Sequence, residues 1–252
     1  MASISVVTIT FNEEQNIREC LAAVRWADEV IVVDSGSRDR TVEYAREFAG
    51  KVLLAPWKGY GAARNFALQH ATADWIFWLD ADERVTPELA AEIRKLVQNG
   101  GDRCDGYSVA RRAYFLGRWI RHCGWYPSRV VRLFRRGKGA FSESRVHEQV
   151  QVQGEIGGLK NDLLHFTDPN LYHYFAKFNK YTSLAAQDLK ESGSSFSLVD
   201  LIVRPPFTFL KMYVIRRGFL DGMRGFILSV LSSVYVFTKY VKLWELTKHN
   251  GG

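Results

Sequence analysis

"WIFWLDADERVTPEL", Trp75–Leu89, decides how the rest of the chain is read. A run of large apolar residues ends abruptly in Asp80 and Asp82, separated by one alanine, and a helix signature follows at once. Thr86 suits an N-cap and Pro87 the first helical position, where the missing N–H has no partner to lose. A solvated loop accounts for two charges but not for their position at the end of a strand that wants burial. The pair needs positive charge nearby. Either Asp80 pairs with a basic side chain while Asp82 caps the helix, or the two share a hard divalent cation, directly or through water.

Outward from this stretch the same unit repeats. "ISVVTITF" (Ile4–Phe11) is a short run rich in β-branched residues, read as a strand buried on both faces, and "EVIVVD" (Glu29–Asp34) and "KVLLA" (Lys51–Ala55) are read as the second and third strands. "NEEQNIRECLAAV", "DRTVEYAREFA" and "GYGAARNFALQHA" follow them as helices. Strand–helix units of this length predict an α/β fold: a Rossmann-like, mostly parallel sheet flanked by helices. Such sheets hold ligands at the carboxyl ends of their strands, near a switch in strand order. Asn12-Glu13, Asp34-Ser35-Gly36-Ser37 and Asp80-Ala81-Asp82 all fall on that edge.

The 252 residues, 47% hydrophobic and 24% charged, suit a soluble protein with a sizeable core. Cys20, Cys104 and Cys123 share no metal-ligand spacing and are odd in number, which argues against a disulfide framework and for a reducing, cytoplasmic setting. "MASISVVTITFNEEQ" reads as the first strand rather than a signal peptide. A net charge of +7 and a pI near 9.3 point to polyanionic company, an anionic lipid surface or phosphorylated substrates. No nucleic-acid signature accompanies the charge, so nucleic acid is not an expected partner. "RRAYFLGRWIRH", "RVVRLFRRGKG" and the last third carry most of the excess base. A solvated basic face is the plain alternative for each.

From about residue 106 the pattern changes. "GYSVARRAYFLG", "SRVVRLFRR" and "VHEQVQVQGEIGGL" read as antiparallel strands or bent ribbons, "LYHYFAKFNKYTSLAAQDLKES" as a helix and "SGSSFS" as a linker. The expected division is a catalytic α/β domain over 1–165 and a helical, basic and hydrophobic extension over 166–252. Beyond Met223, the residues Phe226, Ile227, Val230, Leu231, Val234, Phe237 and Val241 recur at helical spacing. The apolar stretch "FILSVLSSVYVF", bracketed by Arg224 and Lys239, is too short to cross a bilayer. It reads as an interfacial helix in peripheral contact with an anionic membrane surface, and the flanking "IVRPPFTFLKMYVIRRGF" adds aromatic residues beside bases, as expected near an interface. A core helix and a homo-oligomer contact are the alternatives.

"VVTITFNEEQNI", "VIVVDSGSRDRT", "GYGAARNFAL" and "WIFWLDADERV", in this order, resemble the nucleotide-sugar-binding half of glycosyltransferase family 2 enzymes, which have the GT-A fold. "RLFRRGKGAFSESRVHEQV" and "LLHFTDPNLYHYFAKFNKYTSLAA" resemble the branch that contains lipopolysaccharide core glucosyltransferases. The resemblance implies that Thr8, Asn12 and Glu13 lie along the nucleotide pocket, with Thr8 where many relatives have proline. It implies that Asp34 contacts the base or ribose, that Arg64 lies near the diphosphate or ribose, and that Asp80 holds the nucleotide-sugar side. Asp82 would hold Mg²⁺ or Mn²⁺. Glu148 would be the general base, with His147 either a third metal ligand or a group near the diphosphate. Asp105, Glu143 and Glu155 are the other carboxylates weighed for the base. His147 and Glu148, as neighbours, serve one site only if their segment loops or bends.

The chain has no Q-x-x-R-W motif of processive synthases, which points to transfer of one sugar per encounter. His165, Tyr172, His173 and Tyr174 either line an acceptor site or pack. The implied reaction is inverting, metal-dependent transfer of a hexose, glucose from UDP-glucose, to a lipopolysaccharide core or similar glycolipid at the inner face of the cytoplasmic membrane. Three rivals remain: transfer to polyprenyl phosphate, nucleotidyl transfer, and an inactive nucleotide-binding module at the membrane. None of the motifs distinguishes one hexose from another, and they leave the acceptor linkage and the oligomeric state open.

Overall fold

Along β1 (Ile4–Thr10), β2 (Glu29–Asp34) and β4 (Trp75–Asp80) successive side chains leave opposite faces of the sheet, and both faces are apolar. Val6, Val32, Trp75, Phe77 and Leu79 enter one core, while Val7, Ile31, Val33, Ile76 and Trp78 enter another. The computed structural model that shows this describes residues 2–56, 59–142 and 150–248. With β3 (Lys51–Leu54), the parallel strands run in the order β3-β2-β1-β4, so the strand order switches at β1.

Helices cover both faces, as the alternation requires. From α1 (Ile17–Ala22), Ile17, Cys20 and Leu21 fill the first core, joined by Ala45 of α2 (Thr41–Ala45). Ala67 of α3 (Tyr60–Gln69) fills the second. In α4 (Pro87–Gln98), Leu89, Ile93 and Val97 repeat every fourth residue and enter the first core. Thr86 Oγ1 caps that helix, accepting from the Leu89 N–H at 3.2 Å.

Beyond β4 the sheet continues in a different sense. It takes in β5 (Glu83–Val85), β6 (Gly106–Phe115), β8 (Ser128–Arg135) and β12 (Leu163–Asp168), in the order β4-β8-β6-β12-β5. Two short strands, β7 (Arg118–Trp119) and β11 (Ile156–Gly158), pair with β6. The β6–β11 pairing is parallel, where antiparallel ribbons are expected from the sequence; β11 returns to the start of β6 rather than folding back on its predecessor. β9 (Gly139–Phe141) and β10 (Val150–Val152) form a separate antiparallel pair. The three cysteines are free.

The chain separates into two compact units, Met1–Arg111 with Arg129–His165, and Arg112–Ser128 with Phe166–Gly252. The second unit is built on α5 (Leu171–Glu191), α6 (Leu198–Leu210) and α7 (Gly222–Lys248). A π-helical turn (Lys211–Ile215) and a 3-10 turn (Gly218–Asp221) join α6 to α7. Ser233 Oγ donates to the Pro205 carbonyl at 2.8 Å, and Tyr235 Oη to the Tyr181 carbonyl at 3.1 Å. Lys242 Nζ donates to the Asn179 carbonyl and side chain and to the Thr182 and Ser183 hydroxyls at 2.8–3.0 Å.

The buried face of α7 runs through Gly225, Leu228, Ser229, Tyr240 and Leu243, whereas Phe226, Val234 and Phe237 of the expected stripe are exposed. Gly225 explains the choice. A Cβ there would stand 1.9 Å from the Gly218 carbonyl oxygen, so only glycine lets the two backbones meet. Gly225→Ala gains about 1 kcal/mol of helix propensity but must displace backbone, which costs about 1–3 kcal/mol, commonly more than the gain. Thermal unfolding should therefore show a lower Tm for this variant. An unchanged or raised Tm would mean that the contact is not tight.

Candidate active site at the carboxyl edge of the sheet

Strand register brings the acidic groups level. Thr10 pairs with Asp34 on one side of β1, and Ile9 pairs with Asp80 on the other. The loops that leave these strand ends are stitched together. Asp34 is fully buried and folds its own turn: Oδ1 accepts from the Gly36 and Ser37 N–H groups at 2.9 Å and Oδ2 from the Ser37 hydroxyl at 2.5 Å. Gly36 has φ 97°, which this turn requires and other residues resist.

Asn12 has φ 55°; its N–H donates to Ser37 Oγ at 2.8 Å and its Oδ1 accepts from the Arg38 N–H at 2.9 Å. The Glu13 N–H donates to Thr41 Oγ1 at 2.7 Å, and its carboxylate accepts from the Asn16 amide at 2.8 Å. Thr8, two residues inside β1, is fully buried, and its Oγ1 has no hydrogen-bond partner among the described residues.

Asp80 is held by arginines from two directions. Arg64 of α3 donates to its Oδ1 at 3.0 Å and Arg132 of β8 to its Oδ2 at 2.7 Å. β8 runs antiparallel to β4, with Phe77 opposite Leu133, and so carries Arg132 alongside the end of β4. Burial opposes ionisation of Asp80, but the Arg132 and Arg64 guanidiniums outweigh it and hold the carboxyl well below the usual carboxylate range. The Trp78 ring lies against both bases, its centre 3.4 Å from the guanidinium carbon of Arg132 and 4.5 Å from that of Arg64. Arg132 is fully buried and also bonds Glu83, a fully buried carboxylate. Burial pushes the Glu83 carboxyl up despite the pull of Arg132. Arg111 Nη1 approaches Glu83 at 3.9 Å.

Asp82 has different company. β12 pairs with β5, setting His165 opposite Glu83, and His165 Nε2 stands 3.4 Å from Asp82 Oδ2. Thr86, not Asp82, caps α4. Among the described residues no three metal-capable side chains cluster. A carboxylate beside an imidazole is nonetheless an oxygen–nitrogen donor pair that suits Mn²⁺, and Mg²⁺ with water and phosphate completing the shell.

Glu148, His147 and Glu143 lie outside the described residues. Asp105 is engaged by Arg135, with Nε 3.4 Å from Oδ1, and the Glu155 carbonyl accepts from the Asp105 N–H at 2.9 Å. In the second unit Tyr174 packs edge-on against Phe115, and His173 Nδ1 sits 3.3 Å from Asp168, while Tyr172 is exposed.

The sequence reading missed Arg132, Arg111, Glu83 and the approach of His165 to Asp82. The sequence places Arg132 and Arg111 in basic stretches that point to polyanionic partners, but both are turned inward onto carboxylates, because β8 and β6 lie inside the sheet. Arg132 did leave a signal: it interrupts the apolar run "VVRLF", where a solvated arginine has no place. The Asp80 N–H donates to Glu83 Oε2 at 3.1 Å, a contact three residues along the chain that the turn "DADE" allows.

Comparison with known proteins agrees with this geometry. The family described as "Glycosyl transferase family 2" matches residues 5–152. The chain is 33% identical over 254 residues to the "Lipopolysaccharide core biosynthesis glycosyltransferase LpsC" of Rhizobium meliloti (strain 1021), covering 96% of this chain and 92% of that one. It is 31% identical to an uncharacterized glycosyltransferase of Rickettsia typhi (strain ATCC VR-144 / Wilmington), covering 98% and 88%. In fold it is similar to the mannosyltransferase PcManGT from Pyrobaculum calidifontis, solved with GDP-Man and Mn²⁺, with a TM-score of 0.58 at 16% identity over 96% of this chain and 87% of that one. The fold is therefore α/β of the GT-A type, with acids at the carboxyl edge where the strand order switches. The chain belongs to glycosyl transferase family 2 and is a glycosyltransferase.

Proposed function

We propose that this chain transfers one hexose, glucose from UDP-glucose, with inversion onto a lipopolysaccharide core or similar glycolipid. On this reading it works as a cytoplasmic protein peripheral to the inner face of the membrane. The observation that carries the reading is the donor pair at the acidic edge. The His165 imidazole stands 3.4 Å from Asp82, next to an Asp80 that two arginines fix in place. Asp82 and His165 would hold Mg²⁺ or Mn²⁺, which supplies the positive charge that a departing diphosphate requires. Asp80, fixed from both sides, orients the nucleotide-sugar, and Arg64 lies beside it to meet phosphate or ribose. Asn12, Glu13 and Asp34 build the nucleotide side of the edge. The acceptor hydroxyl attacks the anomeric carbon, the bond to the diphosphate breaks, and the hydroxyl proton passes to Glu148.

The anchors of the segment that bears Glu148 support its role. That segment leaves β9 after Phe141, whose backbone N–H and carbonyl are both bonded to the Asn65 side chain, at 2.9 and 3.0 Å. The Phe141 ring lies edge-on to Trp78 and its centre is 5.4 Å from the Arg64 guanidinium carbon. The name of the LpsC relative supports the acceptor class.

A panel of UDP-sugars and GDP-mannose, assayed for nucleoside diphosphate release with and without Mg²⁺ or Mn²⁺, tests the reading. Slow, metal-dependent hydrolysis of UDP-glucose is expected; no nucleotide binding by calorimetry would overturn it. Glu148→Gln should lower kcat for transfer about 10²–10⁴-fold with donor KM little changed. Full activity in that variant would instead favour an acceptor that is already ionised, such as polyprenyl phosphate.

A further inference from the structure

We propose that the outer face of α6 and of the turns that follow it, residues 198–226, is a docking surface that lies in the headgroup layer of an anionic bilayer. The inference rests on the membrane-surface reading above and deepens it by naming the surface, which lies on the flank of the α7 stripe rather than on the stripe itself. Within α6, Pro205 is buried and its carbonyl accepts from Ser233 of α7, so one side of the helix is packed. The other side is apolar as well. Val199, Ile202, Val203, Phe207 and Leu210 recur at three- and four-residue steps and are each between 49% and 66% exposed. The exposed run continues through Ile215, Leu220 and Met223 in the turns and the start of α7. A helix apolar on both sides calls for a second apolar surround, and a contiguous patch of this kind marks an interaction surface.

The charges bordering the patch select the partner. Arg204, Lys211, Arg216 and Arg217 are exposed along it. The two acids in the same stretch are already committed. Asp200 pairs with Arg204 at 2.7 Å, and Asp221 is buried, accepting from the Arg121 and His122 N–H groups at 3.2 and 2.8 Å. Apolar side chains bordered by bases with no free carboxylate match acyl chains beneath anionic headgroups.

The surface lies on the membrane rather than across it. The helical stretch Gly218–Lys248 is long and apolar enough to span by length and composition. Yet its uncharged part ends at Lys239, and the residues 226–238 rise only about 20 Å against the roughly 30 Å of a hydrocarbon core. Lys242 is tied to α5, whose length carries Lys177, Lys180, Asp188 and Lys190. Those charges could not accompany α7 into hydrocarbon.

Flotation of the full chain with phosphatidylcholine vesicles, alone or containing about one-third phosphatidylglycerol, tests the proposal. The wild type should float with the anionic vesicles and at least about tenfold less with phosphatidylcholine alone. Ile202→Glu with Phe207→Glu should lower flotation at least about tenfold, because two charges then enter the interface. Arg216→Ala with Arg217→Ala should lower it less and weaken the lipid-charge dependence. Hydrolysis of the soluble donor should be unchanged in both, which separates loss of docking from loss of folding. Equal flotation of the wild type and the glutamate variant would overturn the assignment. So would a wild type that does not float but forms a dimer that the glutamate variant dissociates in light scattering, since the face would then join two copies of this chain. Flotation without donor hydrolysis in the wild type would sink the transferase reading and leave the surface standing.

Discussion

Asp82→Ala should lower metal-stimulated release of UDP about a thousandfold, equivalent to about 4 kcal/mol of transition-state stabilisation. The size of the effect follows from the geometry around the pair. Both oxygens of Asp80 are taken by guanidiniums, so that residue brings little uncompensated negative charge to the edge. Asp82 stands beside an imidazole nitrogen, that of His165, which with the Asp82 carboxylate makes an oxygen–nitrogen donor pair. Truncating it should remove charge neutralisation of the departing diphosphate while leaving the nucleotide side of the edge in place. UDP binding without metal should then persist in calorimetry. His165→Ala should act in the same direction with a smaller effect. A variant at Asp82 with wild-type turnover would move the cation site elsewhere and remove the basis for treating Asp80 and Asp82 as different in role.

Arg132→Met should destabilise the first unit by about 3–5 kcal/mol. Replacing an entire buried ion cluster by apolar groups can be neutral; removing one member is not, because the rest stay buried without compensation. Arg132 bridges Asp80 and Glu83, and Glu83 has no solvent exposure. Arg64 still serves Asp80 in the variant, whereas Glu83, among the described residues, keeps the Asp80 N–H at 3.1 Å and, of the arginines, the 3.9 Å approach of Arg111. Lysine should not rescue, since a single ammonium cannot reproduce the planar fork stacked on Trp78. At roughly 2–4 °C per kcal/mol for a chain of this size, a fall in Tm of about 10 °C is expected. A fall below about 2 °C would mean that the cluster is not dry.

How far the sequence carried depended on how local each cause was. The doubled apolar faces of β1, β2 and β4 are written in consecutive residues, and the register that aligns Asp34 with Asp80 follows from pairing three such strands. Thr86 and Pro87 announce α4 within two residues. The partners of the acids were not legible, because strands distant in the chain deliver them. Arg132 reaches Asp80 only because β8 returns antiparallel to β4, and His165 reaches Asp82 only because β12 pairs with β5. The packed side of the tail was hidden for another reason. Periodicity marks which residues are apolar, but the side a neighbour covers is set by contacts such as Gly225 against Gly218, which no periodicity encodes.

The hydrogen bonds that tie the β1 loop to the β2 loop have a calorimetric consequence. Asn12 with Ser37 and Arg38, Glu13 with Thr41, and Glu14 with Asp39 and Arg40 fix the rim before any ligand arrives. A base and ribose docking there have little backbone left to immobilise, so the entropic penalty of ordering falls mainly on the ligand. Uridine, which lacks the diphosphate and its charge, should therefore retain a measurable share of the binding enthalpy of UDP.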